Sequence, residues 1–214
     1  QHPYQASGWN RDKVYPLLGF DNLDFMEDYR DVSYVRNYIS DASDMEHIIE
    51  TYEKNKASGK PAFIFNVTMQ NHGGYTDTYM NLTNDIQSQY ASEPLNQYLT
   101  LIHKTDQALE NLIDYFSKVD DRTIIVFFGD HQPNDTVASV VENGAQAETQ
   151  KRYLVPYLVW SNYGIEGAKD KNTSLNYLAA QVLTAAGVPT NAYQNYLLSL
   201  SKTYPVISEA GQTK

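Results

Sequence analysis

The stretch TIIVFFGDHQPN, residues 123–134, decides the fold. Thr123 to Phe128 form an unbroken apolar, β-branched and aromatic run, the pattern of a strand buried on both faces. Parallel sheets covered by helices need such strands. The run stops abruptly at Gly129-Asp130-His131, with Pro133 beyond. In open α/β sheets, ligands bind outside the C-terminal ends of strands. Asp130 and His131 there place a hard oxygen donor beside an imidazole nitrogen, which points to a metal site. The competing reading is plainer, since a His after a strand is often a loop or capping residue.

Working outward, Phe63 to Met69 is a second apolar run, and it ends in QNHGGY, residues 70–75. A long helical pattern from about Glu93 to Lys118 joins the two runs. A helical crossover between strands makes them parallel neighbours. Both strand ends then open onto one edge, and His72, Asp130 and His131 converge there. The remaining pattern is also α/β. Ser43 and Glu46 form a capping-box pair for a helix with a Met45, Ile48, Ile49, Tyr52 stripe. Leu154 to Trp160 reads as a third strand, with Pro156 marking an edge or a bulge. Helices are expected over 175–186, closed by Gly187, and over 191–200. Residues 134–152 are polar and read as a surface loop, and residues 1–40 as long loops with short helical turns. Loops of that length in a compact domain are usually functional.

The other titratable residues divide by position. His47 lies off its helix stripe and reads as solvated, and His103 as structural. Asp106 falls at the spacing of the apolar stripe, four after Ile102 and three before Leu109. A buried carboxylate tying a loop to the helix is preferred there over a catalytic one. In the first segment His2, Trp9 and Arg11 stand out. Arg suits bidentate binding of phosphate or sulfate, and Trp offers a flat wall for a sugar or glycerol unit. On composition alone the segment is an ordinary aromatic loop.

The 214 residues suffice for one domain with a full core, residues 1–214. The net charge of -10 argues against a nucleic-acid partner. It also requires a local cation, a metal or a placed Arg, wherever an anionic substrate binds. The chain has no Cys, which excludes disulfides, thiol catalysis and thiolate zinc sites. Its 18 Tyr hint at a surface- or carbohydrate-facing protein. No run approaches the ~20 apolar residues of a membrane helix, and no signal peptide is visible.

Three motifs together carry a resemblance: HPYQASGWNRDKVYPLLGFD (2–21), FNVTMQNHGGY (65–75) and FFGDHQPN (127–134). Their order resembles the extracellular catalytic domain of the lipoteichoic acid synthase and phosphoglycerol transferase family, a sulfatase-like branch of the alkaline phosphatase superfamily. The likeness runs from the first residues to about 208. It implies an α/β fold with a mostly parallel sheet flanked by helices. It implies transfer of glycerol-phosphate from phosphatidylglycerol to a glycolipid or polymer acceptor, through a Thr nucleophile and one divalent metal, with Mn2+ expected and Mg2+, Zn2+ or Ca2+ as alternatives. It assigns Asp130 and His131 to the metal, His72 to catalysis and substrate contact, and His2, Trp9 and Arg11 to the phosphoglycerol pocket. A membrane location facing the cell exterior follows from the family alone, with attachment through upstream segments.

Two departures matter. The loop reads His72-Gly73-Gly74-Tyr75, where His-Gly-Pro-Tyr is the expected form. The family's Thr nucleophile and an acidic metal ligand precede the HPY segment, whereas here the sequence opens at Gln1. The chain is therefore expected to be the C-terminal portion of one catalytic domain, incomplete at the N-terminal side of its sheet. It is expected to be inactive alone and to hold half a metal shell, with the metal itself absent from such a fragment. Two other readings stay open: a metal-dependent sulfatase or phosphodiesterase, and a non-catalytic glycopolymer-binding module.

Overall fold

The computed structural model describes residues 1–133, 153–165, 171–208 and 211–213. The polar stretch 134–152, read above as a surface loop, lies outside them. The chain divides into two compact units, one holding Gln1–Asp114 and the other Tyr115–Gln132 with the described residues from 153 onward. The α/β class holds, with helices and small sheets.

The first unit is organised around its opening residues. The Gln1 nitrogen donates to Phe65 O at 2.7 Å, and Val67 N donates to Gln1 O at 3.1 Å. Bonds that slant forward on either side of one residue are the mark of parallel pairing. On the other side His2 N donates to Asp24 O at 2.9 Å, and His2 pairs with Phe25 in a parallel bridge. The run at 63–69, expected as a buried strand, hydrogen-bonds to the opening segment but forms no strand, and Phe63 is 81% exposed.

A helical turn, α1 (Arg11–Val14), follows. A two-stranded antiparallel ribbon of β1 (Tyr34–Val35) and β2 (Tyr38–Ile39) leads into α2 (Asp41–Lys56). The cap of α2 lies three residues before the expected Ser43. Ser40 holds an extended backbone, and its hydroxyl accepts from Ser43 N at 3.1 Å. Asp41 already stands in the helix, with its own N–H donating to Gln70 Oε1.

The long helix α3 (Glu93–Phe116) buries Leu95, Leu101, Thr105, Ala108, Leu109 and Leu112. Leu95 and Leu101 pack with Tyr75, against Val35, Leu82, Tyr98 and Leu99. The expectation for Asp106 fails. It is exposed, and its neighbour Thr105 takes the inward place. Ile102, used to set the stripe, is itself 41% exposed, so the buried face is centred one residue earlier. His103 is exposed as well. His47 is buried where it was read as solvated. Its ring stacks on Tyr29 at 4.1 Å, and its Nε2 lies 3.1 Å from Asp24 Oδ2.

In the second unit β3 (Ile124–Phe128) pairs with β4 (Tyr157–Ser161), from Ile124 against Ser161 to Phe128 against Tyr157. This pair is antiparallel. Gly129 N extends the ladder by donating to Pro156 O at 3.1 Å. A Cβ at Gly129 would stand 3.1 Å from Val155 Cβ, a tight approach that favours glycine in FFGDH. Pro156 sits just ahead of its strand, a position that needs no N–H. Helices α4 (Leu175–Ala185) and α5 (Ala192–Thr203) and a hairpin of β5 (Val206–Ser208) with β6 (Gly211–Thr213) complete the unit. No helix among the described residues is long and apolar enough to cross a membrane.

Candidate functional site

The site in the first unit grows from the parallel-bonded segment. Held between Asp24–Phe25 and 65–67, His2 is fully buried. Its Nδ1 lies 3.0 Å from Val67 O. A carbonyl only accepts, so Nδ1 carries the proton and Nε2 keeps its lone pair. That lone pair accepts from Arg11 Nη1. Burial, which outweighs the Val67 bond, pushes the His2 pKa down to about 4, with the Arg11 charge adding to the fall. His2 is therefore a neutral acceptor at pH 7. Both its nitrogens are engaged, so it bears on a ligand through Arg11.

Arg11 leaves α1 across the indole of Trp9, with its guanidinium carbon 4.7 Å from the ring centroid. Trp9 is 54% exposed and sits at φ 53°, and Asn10 follows at φ 54°. Two consecutive non-glycine residues in the left-handed region cost energy, and such strain clusters at functional sites. Gly8 permits the turn, because a Cβ there would stand 2.7 Å from the Tyr4 ring. Trp9 meets Tyr4 at 5.3 Å, His2 at 5.8 Å and His72 at 5.8 Å between centroids. His2, Trp9, Arg11 and His72 thus come together from positions 70 residues apart.

His72 is exposed, and its Nδ1 lies 3.4 Å from the Tyr38 hydroxyl. Behind its loop, Gln70 is buried and donates to Leu101 O, while Asn71 Nδ2 donates to Thr105 Oγ1 at 2.7 Å. Gly74 adopts φ 85°. Proline is locked near -65°, so the Gly74 departure gives this loop a path that His-Gly-Pro-Tyr cannot take.

Sequence reading missed two buried carboxylates below this loop. Asp41 Oδ2 accepts from Thr105 at 2.5 Å, and its Oδ1 has no partner among the described residues. Asp44 accepts from Tyr29 and from Asn66, both at 2.6 Å. Burial pushes Asp41 up to about 7 and Asp44 up to about 6. The available signal was DASD itself, two acids three residues apart at a helix start, whose carboxylates are met by Thr105, Tyr29 and Asn66.

Asp130 and His131 lie in the second unit, directly after the last ladder bond of β3. Asp130 Oδ1 accepts from His131 N, and His131 Nδ1 donates to Gln132 O, both at 2.8 Å. That leaves Asp130 Oδ2 and His131 Nε2 free of those bonds and 3.4 Å apart. A histidine whose Nδ1–H is fixed by a carbonyl presents Nε2 as a metal ligand usually does. The donor types fit two positions of a divalent shell. Among the described residues no group of three or more His, Asp or Glu gathers to complete one.

The sulfatase family's profile matches residues 1–188 of this α/β chain. The chain belongs to the sulfatase family. A Rhizobium meliloti (strain 1021) protein, provisionally named for cyclic beta-1,2-glucan modification, is 29% identical over 96% of this chain and 34% of its own length. The lipoteichoic acid synthase-like protein YvgJ of Bacillus subtilis (strain 168) is 28% identical over 73% of this chain and 25% of its length. The structure of the Streptococcus pyogenes phosphoglycerol transferase GacH, solved with sn-glycerol-1-phosphate, shares the fold. Its TM-score is 0.76 at 20% identity, over 96% of this chain and 53% of that one. The chain spans a quarter to a third of these two curated relatives.

Proposed function

We propose that this chain supplies the phosphoglycerol pocket of a transferase that moves glycerol-phosphate from phosphatidylglycerol to a hydroxyl of a glycan, glycolipid or polymer. One observation carries the reading. In a protein of net charge -10, Arg11 is held on an exposed, strained Trp9 by a neutral buried His2, with His72 at the rim. A fixed guanidinium binds two phosphate oxygens at once, and the indole beside it fits a glycerol backbone. The relatives named for glucan modification and lipoteichoic acid synthesis, and the glycerol-phosphate of the GacH structure, support this donor and a carbohydrate or polymer acceptor.

Within this reading we assign the roles by side-chain chemistry. Arg11 binds the non-bridging oxygens, Trp9 covers the glycerol carbons, and His2 fixes Arg11. The bond from phosphorus to the diacylglycerol oxygen breaks as one to a Thr alkoxide oxygen forms, and the acceptor oxygen later displaces that Thr, which departs again as the alkoxide. His72 gives its proton to the departing diacylglycerol oxygen and takes one back from the acceptor. Asp130 and His131 would provide two ligands for a divalent metal, Mn2+ by preference, which neutralises phosphate charge when bound. We place the Thr and the remaining ligand outside this chain, so that turnover belongs to a longer protein at the outer face of the cell membrane. The sulfatase match favours a second reading, in which water is the acceptor.

The test is release of diacylglycerol from phosphatidylglycerol vesicles by the full-length protein. We expect release with wild type, and at least a hundredfold loss in His72→Ala with bound metal unchanged. Hydrolysis of p-nitrophenyl sulfate without diacylglycerol release would contradict the transferase and favour the hydrolase.

A further inference from the structure

Arg36 is the residue whose placement the site chemistry leaves unused. Its guanidinium is buried, with the residue only 4% exposed. Among the described residues its hydrogen bonds reach no carboxylate. Instead Nη2 donates to Gln70 O at 2.6 Å and to His72 O at 2.7 Å, and Nη1 donates to Gly74 O at 3.0 Å. Three carbonyls of one five-residue loop thus converge on a single planar cation. The faces of Tyr38, Tyr75 and Tyr79 enclose it at 5.4, 5.5 and 5.9 Å. Arg36 itself sits at φ 56°, in the tight turn between β1 and β2, and Asn81 Nδ2 holds that turn by donating to Arg36 O at 3.0 Å.

We propose that Arg36 is the positioning residue for His72. The loop presents His72 to Trp9 only while its carbonyls point inward, away from solvent. Carbonyl dipoles aimed at one point repel each other, and the buried guanidinium offsets that repulsion while fixing their directions through its rigid fork. Lysine carries the charge as a point on a flexible stem and cannot reproduce a fork that spans three acceptors. The Gly74 path belongs to the same device, because φ 85° is part of the backbone path that brings the Gly74 carbonyl to Nη1. The consequence for a phosphoglycerol ligand rests on the function proposed above. The effect on His72 does not.

The test uses Arg36→Lys, with the His72 ring followed by NMR on histidine-labelled protein, and sn-glycerol 1-phosphate binding followed by calorimetry. We expect Arg36→Lys to keep a cooperative thermal transition while the His72 resonances shift and broaden, and the His2 resonances stay in place. Affinity for glycerol phosphate should fall about tenfold. Methylguanidinium added to Arg36→Ala should return the His72 signals toward their wild-type positions. If Arg36→Lys fails to fold, Gly74→Pro, which redirects one of the three carbonyls and leaves Arg36 intact, should give the same His72 signature. Unmoved His72 resonances in the variant that folds would overturn the proposal. Failure of the wild type to bind glycerol phosphate would overturn the pocket reading, and the His72 signals would still decide the role of Arg36.

Discussion

Arg11 and His2 set the pocket's behaviour with pH. His2 titrates near 6.5 when unfolded and at about 4 when folded. Between those values the unfolded chain binds the extra proton, so this group's contribution to stability falls as pH drops through the window. A charged His2 also no longer accepts from Arg11. Asp41 acts in the opposite sense. Its folded pKa of about 7 stands above the unfolded value of 3.8, so the folded chain binds more protons and gains stability as pH falls from 7 toward 4. Asp41→Asn should therefore raise Tm at pH 8, by roughly 3 °C for about 1 kcal/mol, and should lose that advantage at pH 4.5. Scanning calorimetry at the two pH values checks this, and an equal advantage at both would contradict it. Gly74→Pro should lower stability by more than about 1 kcal/mol, because proline cannot reach the native φ. Urea unfolding of the variant measures it.

Among the elements, much was legible because it rested on local chemistry. The apolar run at 123–128 became β3, and the turn glycine and Pro189 bounded α4 as expected. What failed depended on which face meets the core. In α3 the periodicity was read through Ile102, and the true inward residues sit one position earlier, so Thr105 was missed and Asp106 misplaced. In α2 the box pattern points to Ser43, whereas Ser40 caps by accepting from Ser43 N, and the first-turn N–H of Asp41 is met by Gln70. No local rule reports a partner 29 residues away. Asn162 is similar in the second unit. Its Nδ2 donates to the carbonyls of Phe116, Val119 and Asp121, and its Oδ1 accepts from Thr123 N. Asn162→Ala should cost about 2 kcal/mol by leaving these groups unpaired, with loss of amide-exchange protection at Thr123 as its local sign.

For the whole chain, the three motifs were enough to place it in its family, while the positions of their side chains were not legible. Trp9, Arg11 and His72 meet because a two-residue parallel pairing at Gln1–His2 draws distant segments together. So short a pairing has no signature in hydrophobic period. Arg36 and the Asp41–Asp44 pair escaped for a related reason, since a buried charge is recognised only by the partners around it. The most direct measurement is calorimetric titration of sn-glycerol 1-phosphate into the 214-residue chain and into Arg11→Ala. The account predicts binding by the wild type and a loss of tenfold or more in the variant, the worth of a charge-assisted hydrogen-bond pair. Absence of binding, or equal affinity in both proteins, would contradict a phosphoglycerol pocket built on Arg11.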